Sequence, residues 1–194
     1  MKSIDTYYNG HYFRSRLEAR WAVFFDQCGV SWEYEAQGYN LGDGVLYLPD
    51  FLLHAVVFNH AGYSRGNDLY VEVKGKMTQA DAEKIKRFAE EKPILVVGDI
   101  PNGEELYSIC ESIRDAGYHE QYGISEFNFE LVDGDYFQAY PGVDLDGDFN
   151  LFGDDSTYLC NADKKATIIA YRKARMARFE HGDQIINQMR IPVD

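Results

Sequence analysis

The chain has 194 residues, 45% of them hydrophobic, and a formal net charge of −13, which suits one domain of ordinary size with a substantial core and needs no appended disordered array. Apolar runs such as residues 55–58 and 94–97 are too short to span a bilayer, and residues 1–5 open no secretory signal, so a cytoplasmic protein without membrane contact is expected. Cys28, Cys110 and Cys160 are too few and too scattered for a disulfide framework or a C-x-x-C zinc pair, which leaves reduced thiols.

In chain order, residues 7–13 predict a hairpin around Asn9-Gly10. A helix then opens at Arg14-Ser15-Arg16-Leu17-Glu18 and ends near Cys28-Gly29. Its apolar stripe is Leu17, Trp21, Phe24 and Cys28, with Glu18 alongside, and Ser15-x-x-Glu18 has the spacing of a capping box. Trp32-Glu33-Tyr34-Glu35 follows Gly29-Val30. Pro49 lacks an amide hydrogen and favours strand starts and edges, so residues 49–53 predict the opening of a strand with Asp50 at its mouth. Residues 54–68, with Gly62, Gly66 and Asn67, predict a long loop whose polar side chains are solvated. Leu69, Val71 and Val73 alternate with Tyr70, Glu72 and Lys74, a period-two strand that puts Glu72 and Lys74 on one face. Thr78 caps a helix over residues 79–91, where Ala82, Ile85, Phe88 and Ala89 recur at helical spacing. Pro93 stops it, and residues 93–98 predict a short buried strand.

Residues 104–116 predict a further helix, residues 123–155 short strands and turns, and residues 162–181 a final helix. Asp144-x-Asp146-Gly147-Asp148-x-Asn150 is superficially similar to a calcium loop, but Phe149 stands where glycine is required, so a solvated turn is expected. No Walker-type phosphate loop occurs, which argues against ATP hydrolysis by this chain. The expected fold is α/β: a mixed central β-sheet flanked by helices over residues 1–100, then residues 101–194 as an extension packed on this core, acidic over 101–163 and ending in a basic helix.

The chemistry rests on four side chains. Two carboxylates held together, Asp50 and Glu72, disfavour their doubly ionised state, and a hard divalent cation with oxygen ligands relieves the repulsion. Magnesium is the natural cation, with manganese as its substitute. Lys74 beside these acids stays an ammonium and is suited to orienting a water and stabilising transition-state charge on a phosphoryl group. Each residue also has an ordinary account: Glu72 and Lys74 as a solvent-facing pair, Asp50 as a turn carboxylate, Glu18 as a cap. Their occurrence together, in order and on independently predictable elements, favours the metal site. Glu18 can serve as cap and as aid to the metal.

Pro49-Asp50 followed by Glu72-Val73-Lys74 resembles the PD-(D/E)XK nuclease superfamily. With Arg14-Ser15-Arg16-Leu17-Glu18, Trp32-Glu33-Tyr34-Glu35 and Tyr47-Leu48-Pro49-Asp50-Phe51 in the same order, the first half of the chain is similar to the phage junction-resolving endonucleases. The resemblance implies a restriction-endonuclease-like core, Asp50 and Glu72 as metal ligands, Lys74 as the catalytic lysine and Glu18 as an additional acidic group. It also implies a metal-dependent DNA endonuclease, with branched or structured DNA as one substrate class.

The net charge opposes a nucleic-acid partner, but its distribution softens the objection: residues 1–100 carry a net −3, residues 101–163 a net −14 and residues 164–194 a net +4. Arg14, Arg16, Arg20 and Lys76 near the acidic site, and Arg172, Lys173 and Arg175 on the last helix, are the expected phosphate contacts, giving modest and salt-sensitive binding to DNA. A homodimer would let two sites cut opposing strands. Two competing readings are a non-catalytic nuclease-fold protein, whose acidic segment mimics nucleic acid and inhibits a DNA-binding partner, and a nuclease acting on RNA or single strands.

Overall fold

The computed structural model describes residues 5–58, 67–101, 129–132, 135–138, 140–152 and 162–179. The predicted helix over 104–116, most of the loop after residue 58, Cys110 and Cys160 lie outside them.

Asn9 and Gly10, with φ of 47° and 88°, make the two-residue turn between β1 (Thr6–Tyr8) and β2 (His11–Phe13), because paired positive φ values match the strand twist. Helix α1 (Arg16–Gln27) starts at Ser15, whose hydroxyl accepts from the Glu18 amide. It ends where the Val30 and Gly29 amides fold back onto the carbonyls of Phe25 and Asp26, a closure that needs the left-handed φ of 70° at Gly29. Strand β3 (Ser31–Tyr34) follows, then a two-stranded ribbon of β4 (Tyr39–Asn40) and β5 (Leu46–Tyr47) that sequence periodicity does not reveal.

The central strand is β6 (Phe51–Phe58), paired antiparallel with β3 on one side and with β7 (Asn67–Val73) on the other. The expectation of a loop beginning at His54 is corrected here. Ala55 takes a φ of 57° at a register shift between Leu53 and Val56, and this bulge lets the strand run on to Phe58. Helix α2 (Gln79–Ala89), capped by Thr78, crosses over from β7 to the parallel strand β8 (Ile94–Val97). Its last residue falls two short of the expected end, with Glu90 as C-cap.

Strands β9 (Phe129–Val132) and β10 (Asp135–Gln138) extend the sheet beyond β8, and β11 (Tyr140–Val143) and β12 (Phe149–Phe152) join it beside the far half of β6. The sheet of eight strands among the described residues is therefore mixed, in the order β10-β9-β8-β7-β6-β12-β11 with β3 also on β6. The turn joining β11 to β12 carries the acidic motif. Asp144 Oδ1 accepts from the amides of Asp146 and Asp148, each at 3.0 Å, as an ordinary side-chain-stabilised turn does. The last described helix, α3 (Lys164–Met176), is shorter than the expected 162–181, and residues 180 onward lie outside the description.

Period-two alternation sorts the core onto two faces. Leu69, Val71, Val73, Leu95 and Val97 pack with Trp21, Phe24 and Phe25 of α1, whereas Ile94 and Val96 pack with Ile85 and Phe88 of α2. On the first side α3 also covers the core, with Tyr171 ringed by Phe24 and Trp21 and its hydroxyl donating to the Pro141 carbonyl at 2.8 Å. Tyr70, and with it Glu72, faces the α2 side. The acids at the start of β6 and the end of β7 thus gather at one end of the sheet, beside the N-terminus of α2. No described helix is long and apolar enough to cross a membrane.

Candidate active site

The β6–β7 register, carried one step past Phe51↔Val71, sets Asp50 opposite Glu72 on the same sheet face. Both are almost wholly buried, each at 3% exposure, where an ionised carboxylate is costly without partners. Asp50 Oδ2 accepts from the Val73 amide at 2.7 Å, and Oδ1 takes Arg14 Nη2 at 2.6 Å. Glu72 Oε2 accepts from the Tyr47 hydroxyl at 2.8 Å, and Oε1 meets Lys74 Nζ at 2.7 Å. Lys74 lies one residue past the end of β7, and its ammonium also comes within 3.5 Å of Asp81 Oδ1.

Glu18, 7% exposed, lies at the same end, on the first turn of α1. Its Oε1 accepts from Ser15 Oγ at 2.7 Å, and its Oε2 accepts from the Tyr34 hydroxyl at 2.6 Å and the Arg14 amide at 3.1 Å. The carboxylate therefore returns to the backbone two residues upstream of Arg16, so the capping role holds in a shifted form, and its charge still reaches Asp50.

The electrostatics follow from these contacts. Burial first, then the charges of Glu72 and Glu18, push the Asp50 carboxyl up to about 8, against the opposing pull of the Val73 amide and Arg14. Burial also raises Glu72, although Lys74, Tyr47 and Arg14 pull it down. For Lys74, burial works against the charge, but Glu72, Asp81 and Asp50 outweigh it and hold the ammonium above its ordinary range. Lys74 is accordingly a resting cation and not a resting base. Burial and the Glu72 charge raise the Tyr47 hydroxyl, which stays a proton donor to Glu72.

Asp50, Glu72, Lys74 and Glu18 are brought together as expected, yet in this arrangement the acids face protein donors. Among the described residues, no three His, Cys, Asp or Glu side chains are grouped to enclose a metal ion. The donor set still suits a hard cation: burial is the first cause of the raised Asp50 carboxyl, but the charges of Glu72 and Glu18 that add to it favour a positive charge placed between the acids.

The basic residues divide. Arg14 does not simply face solvent as a phosphate contact; it is tied to Asp50 and, through Nε at 2.9 Å, to Glu35. Arg16 and Lys76 are exposed near the site, and Arg20 is half-buried with Nε lacking a hydrogen-bond partner. Lys173 is not at the site. Its Nζ holds Gln27 Oε1 at 2.6 Å, nine residues after Glu18 and about 13 Å along α1. Arg172 and Arg175, exposed on the same helix, lie within a turn of Lys173.

Three neighbours of these side chains carry no separate site signal in the sequence: Tyr47, Tyr34 and Asp81. Tyr47 stands three residues before Asp50, a spacing that period-two alternation does not bring to one face. Asp81 was detectable as the third position after Thr78, whose amide and hydroxyl it accepts at 3.2 Å and 2.6 Å. Comparison of the chain with protein-family models, with curated proteins and with solved structures gives no significant match.

Proposed function

We propose that this protein is a magnesium-dependent deoxyribonuclease of the PD-(D/E)XK type, with a restriction-endonuclease-like core, acting on DNA that includes branched or structured forms. The observation that carries the reading is the meeting of two buried acids from adjacent strands, Asp50 and Glu72, with the Lys74 ammonium 2.7 Å from Glu72. A structural ion pair needs only one acid and one base, whereas a second acid whose carboxyl is pushed up to about 8 is a standing cost that function explains better than stability.

Asp50 and Glu72 would hold the divalent cation. When bound, that cation supplies Lewis-acid stabilisation of the phosphoryl oxygens and lowers the pKa of water. Lys74 would orient the attacking water and offset negative charge on the phosphoryl group. Tyr47 fixes the rotamer of Glu72, and Asp81 positions Lys74 from the start of α2. Glu18 adds negative potential beside Asp50.

Asp81→Asn keeps an oxygen for the Thr78 cap but removes the charge facing Lys74. It is expected to lower kcat roughly tenfold with little change in KM, as loss of a supporting partner does, in steady-state cleavage assays.

The test of the reading is a cleavage panel of duplex, single-stranded, nicked and four-way DNA and of RNA, with magnesium and with chelator, beside Asp50→Asn. Magnesium-dependent scission of DNA lost in the variant is expected. Binding without scission on every substrate, or scission of RNA alone, would reject it.

A further inference from the structure

Arg14 occupies an unusual position for a residue of its exposure. Its side chain is 58% exposed, but it ends on a carboxylate that is 4% exposed, at 2.6 Å. The Asp50 oxygen it contacts, Oδ1, is the one left over after the Val73 amide has taken Oδ2. A cation bound between Asp50 and the other acids would compete for that same oxygen, the one without a backbone donor. The guanidinium thus occupies the outward side of the acid pair, where positive charge is most favoured.

The local backbone allows the side chain to move while its base stays fixed. The Arg14 amide is held by Glu18 Oε2 at 3.1 Å and by the Tyr34 hydroxyl at 3.2 Å. Its second acid, Glu35, sits in a left-handed conformation with φ of 48°, and the Glu35 amide bonds the Asp50 carbonyl at 2.9 Å. Asp50 and Glu35 therefore keep a set spacing that the guanidinium bridges. Glu35 is only partly buried, so a guanidinium leaving Asp50 can keep this outer contact while turning to solvent.

We propose that Arg14 is an exchangeable occupant of the Asp50 Oδ1 position. It holds Asp50 Oδ1 while no divalent cation is bound. When a cation takes Asp50 Oδ1, the guanidinium is released to the mouth of the site, where it meets a phosphate of the nucleic-acid strand. The inference rests on the metal-dependent nuclease reading and goes beyond it, since it makes cation and strand binding mutually reinforcing: each favours the Arg14 position that the other requires, and linkage makes the effect reciprocal.

Titration calorimetry with manganese, without nucleic acid, tests the exchange directly. Removing the competing charge in Arg14→Gln is expected to tighten manganese binding roughly tenfold or more, while Arg16→Gln, which removes a nearby exposed cation that touches neither acid, leaves it unchanged. Arg14→Lys keeps a charge but loses the planar fork, and is expected to tighten manganese binding by a smaller factor; it also serves if Arg14→Gln fails to fold by circular dichroism. Fluorescence anisotropy with a short duplex, on a Lys74→Ala background to prevent turnover, should show that calcium raises strand affinity roughly tenfold less in Arg14→Gln than with Arg14 intact. Equal manganese affinity with and without Arg14, or equal tightening by Arg16→Gln, overturns the exchange alone. Failure of both the natural sequence and Arg14→Gln to bind manganese at all overturns the metal reading beneath it.

Discussion

Asp50→Asn and Lys74→Ala are each expected to lower magnesium-dependent DNA cleavage by roughly 10³-fold or more, because the first removes a ligand proposed for the cation and the second a positive charge proposed to face the reacting phosphoryl group. The two should differ in every other respect. Asn at position 50 keeps an oxygen for the Val73 amide and removes a carboxyl that burial and neighbouring acids disfavour, so the variant should remain folded and lose cation affinity. Ala at position 74 leaves Glu72 with Tyr47 as its remaining close donor, in a site 3% exposed, so this variant should retain cation binding and lose some thermal stability. Cleavage rates, manganese titration and thermal unfolding on both proteins check the pattern. Undiminished turnover in either variant removes the assigned role.

Stability of the metal-free protein is expected to fall as pH rises from about 4 to about 8. The sign follows from Asp50, whose carboxyl is held at about 8 in the fold against an ordinary value near 4 in the unfolded chain. A group raised on folding favours the fold fully below its unfolded value, and that contribution is lost as pH climbs through the folded value. Glu72 shifts in the same direction. Together they predict a loss of a few kcal/mol over this window. His54, bonded to Asp68 and Glu33 at 2.9 Å on each ring nitrogen, is also raised and adds slope of the same sign nearer neutrality. Asp81, which is lowered, acts only below pH 4.

The diagnostic quantity is therefore the difference between the natural sequence and Asp50→Asn, which should have a flatter profile in urea unfolding across pH 4–9. Magnesium should reverse the loss, since it binds the ionised acids, and its stabilising effect should be larger at pH 8 than at pH 5 and absent in Asp50→Asn. Parallel pH profiles for the two proteins would show that Asp50 does not carry the cost assigned to it.

The parts of the fold legible in the sequence are those where a local rule acts strongly. Asn9-Gly10, Ser15 and Thr78 mark their turn and caps through side-chain or φ requirements that few residues meet, and the structure has all three. The alternation over residues 69–74 marked β7 because one face is apolar throughout. The expected strand stops before His54, whereas β6 runs on to Phe58 through the bulge at Ala55, a tertiary choice that no propensity signals. The β4–β5 ribbon is two residues per strand, below the length at which alternation can be recognised.

The site divides in the same way. Glu18, Asp50, Glu72 and Lys74 were found because their chemistry and spacing are jointly unusual. Arg14 is expected beside the site as a phosphate contact, but its hold on Asp50 joins residues 36 apart in sequence, a tertiary contact that no local rule signals. The α3 basic residues are expected phosphate contacts on charge alone, and Lys173 contacts Gln27 at the far end of α1 from Glu18.

Diffraction from crystals soaked in manganese, with anomalous differences measured near the metal's absorption edge, would locate the cation directly. One peak bracketed by the carboxylates of Asp50 and Glu72, with Arg14 turned away from Asp50, is the predicted result. A manganese peak elsewhere, or none while Arg14 and Lys74 keep their present hold on the two acids, would contradict it.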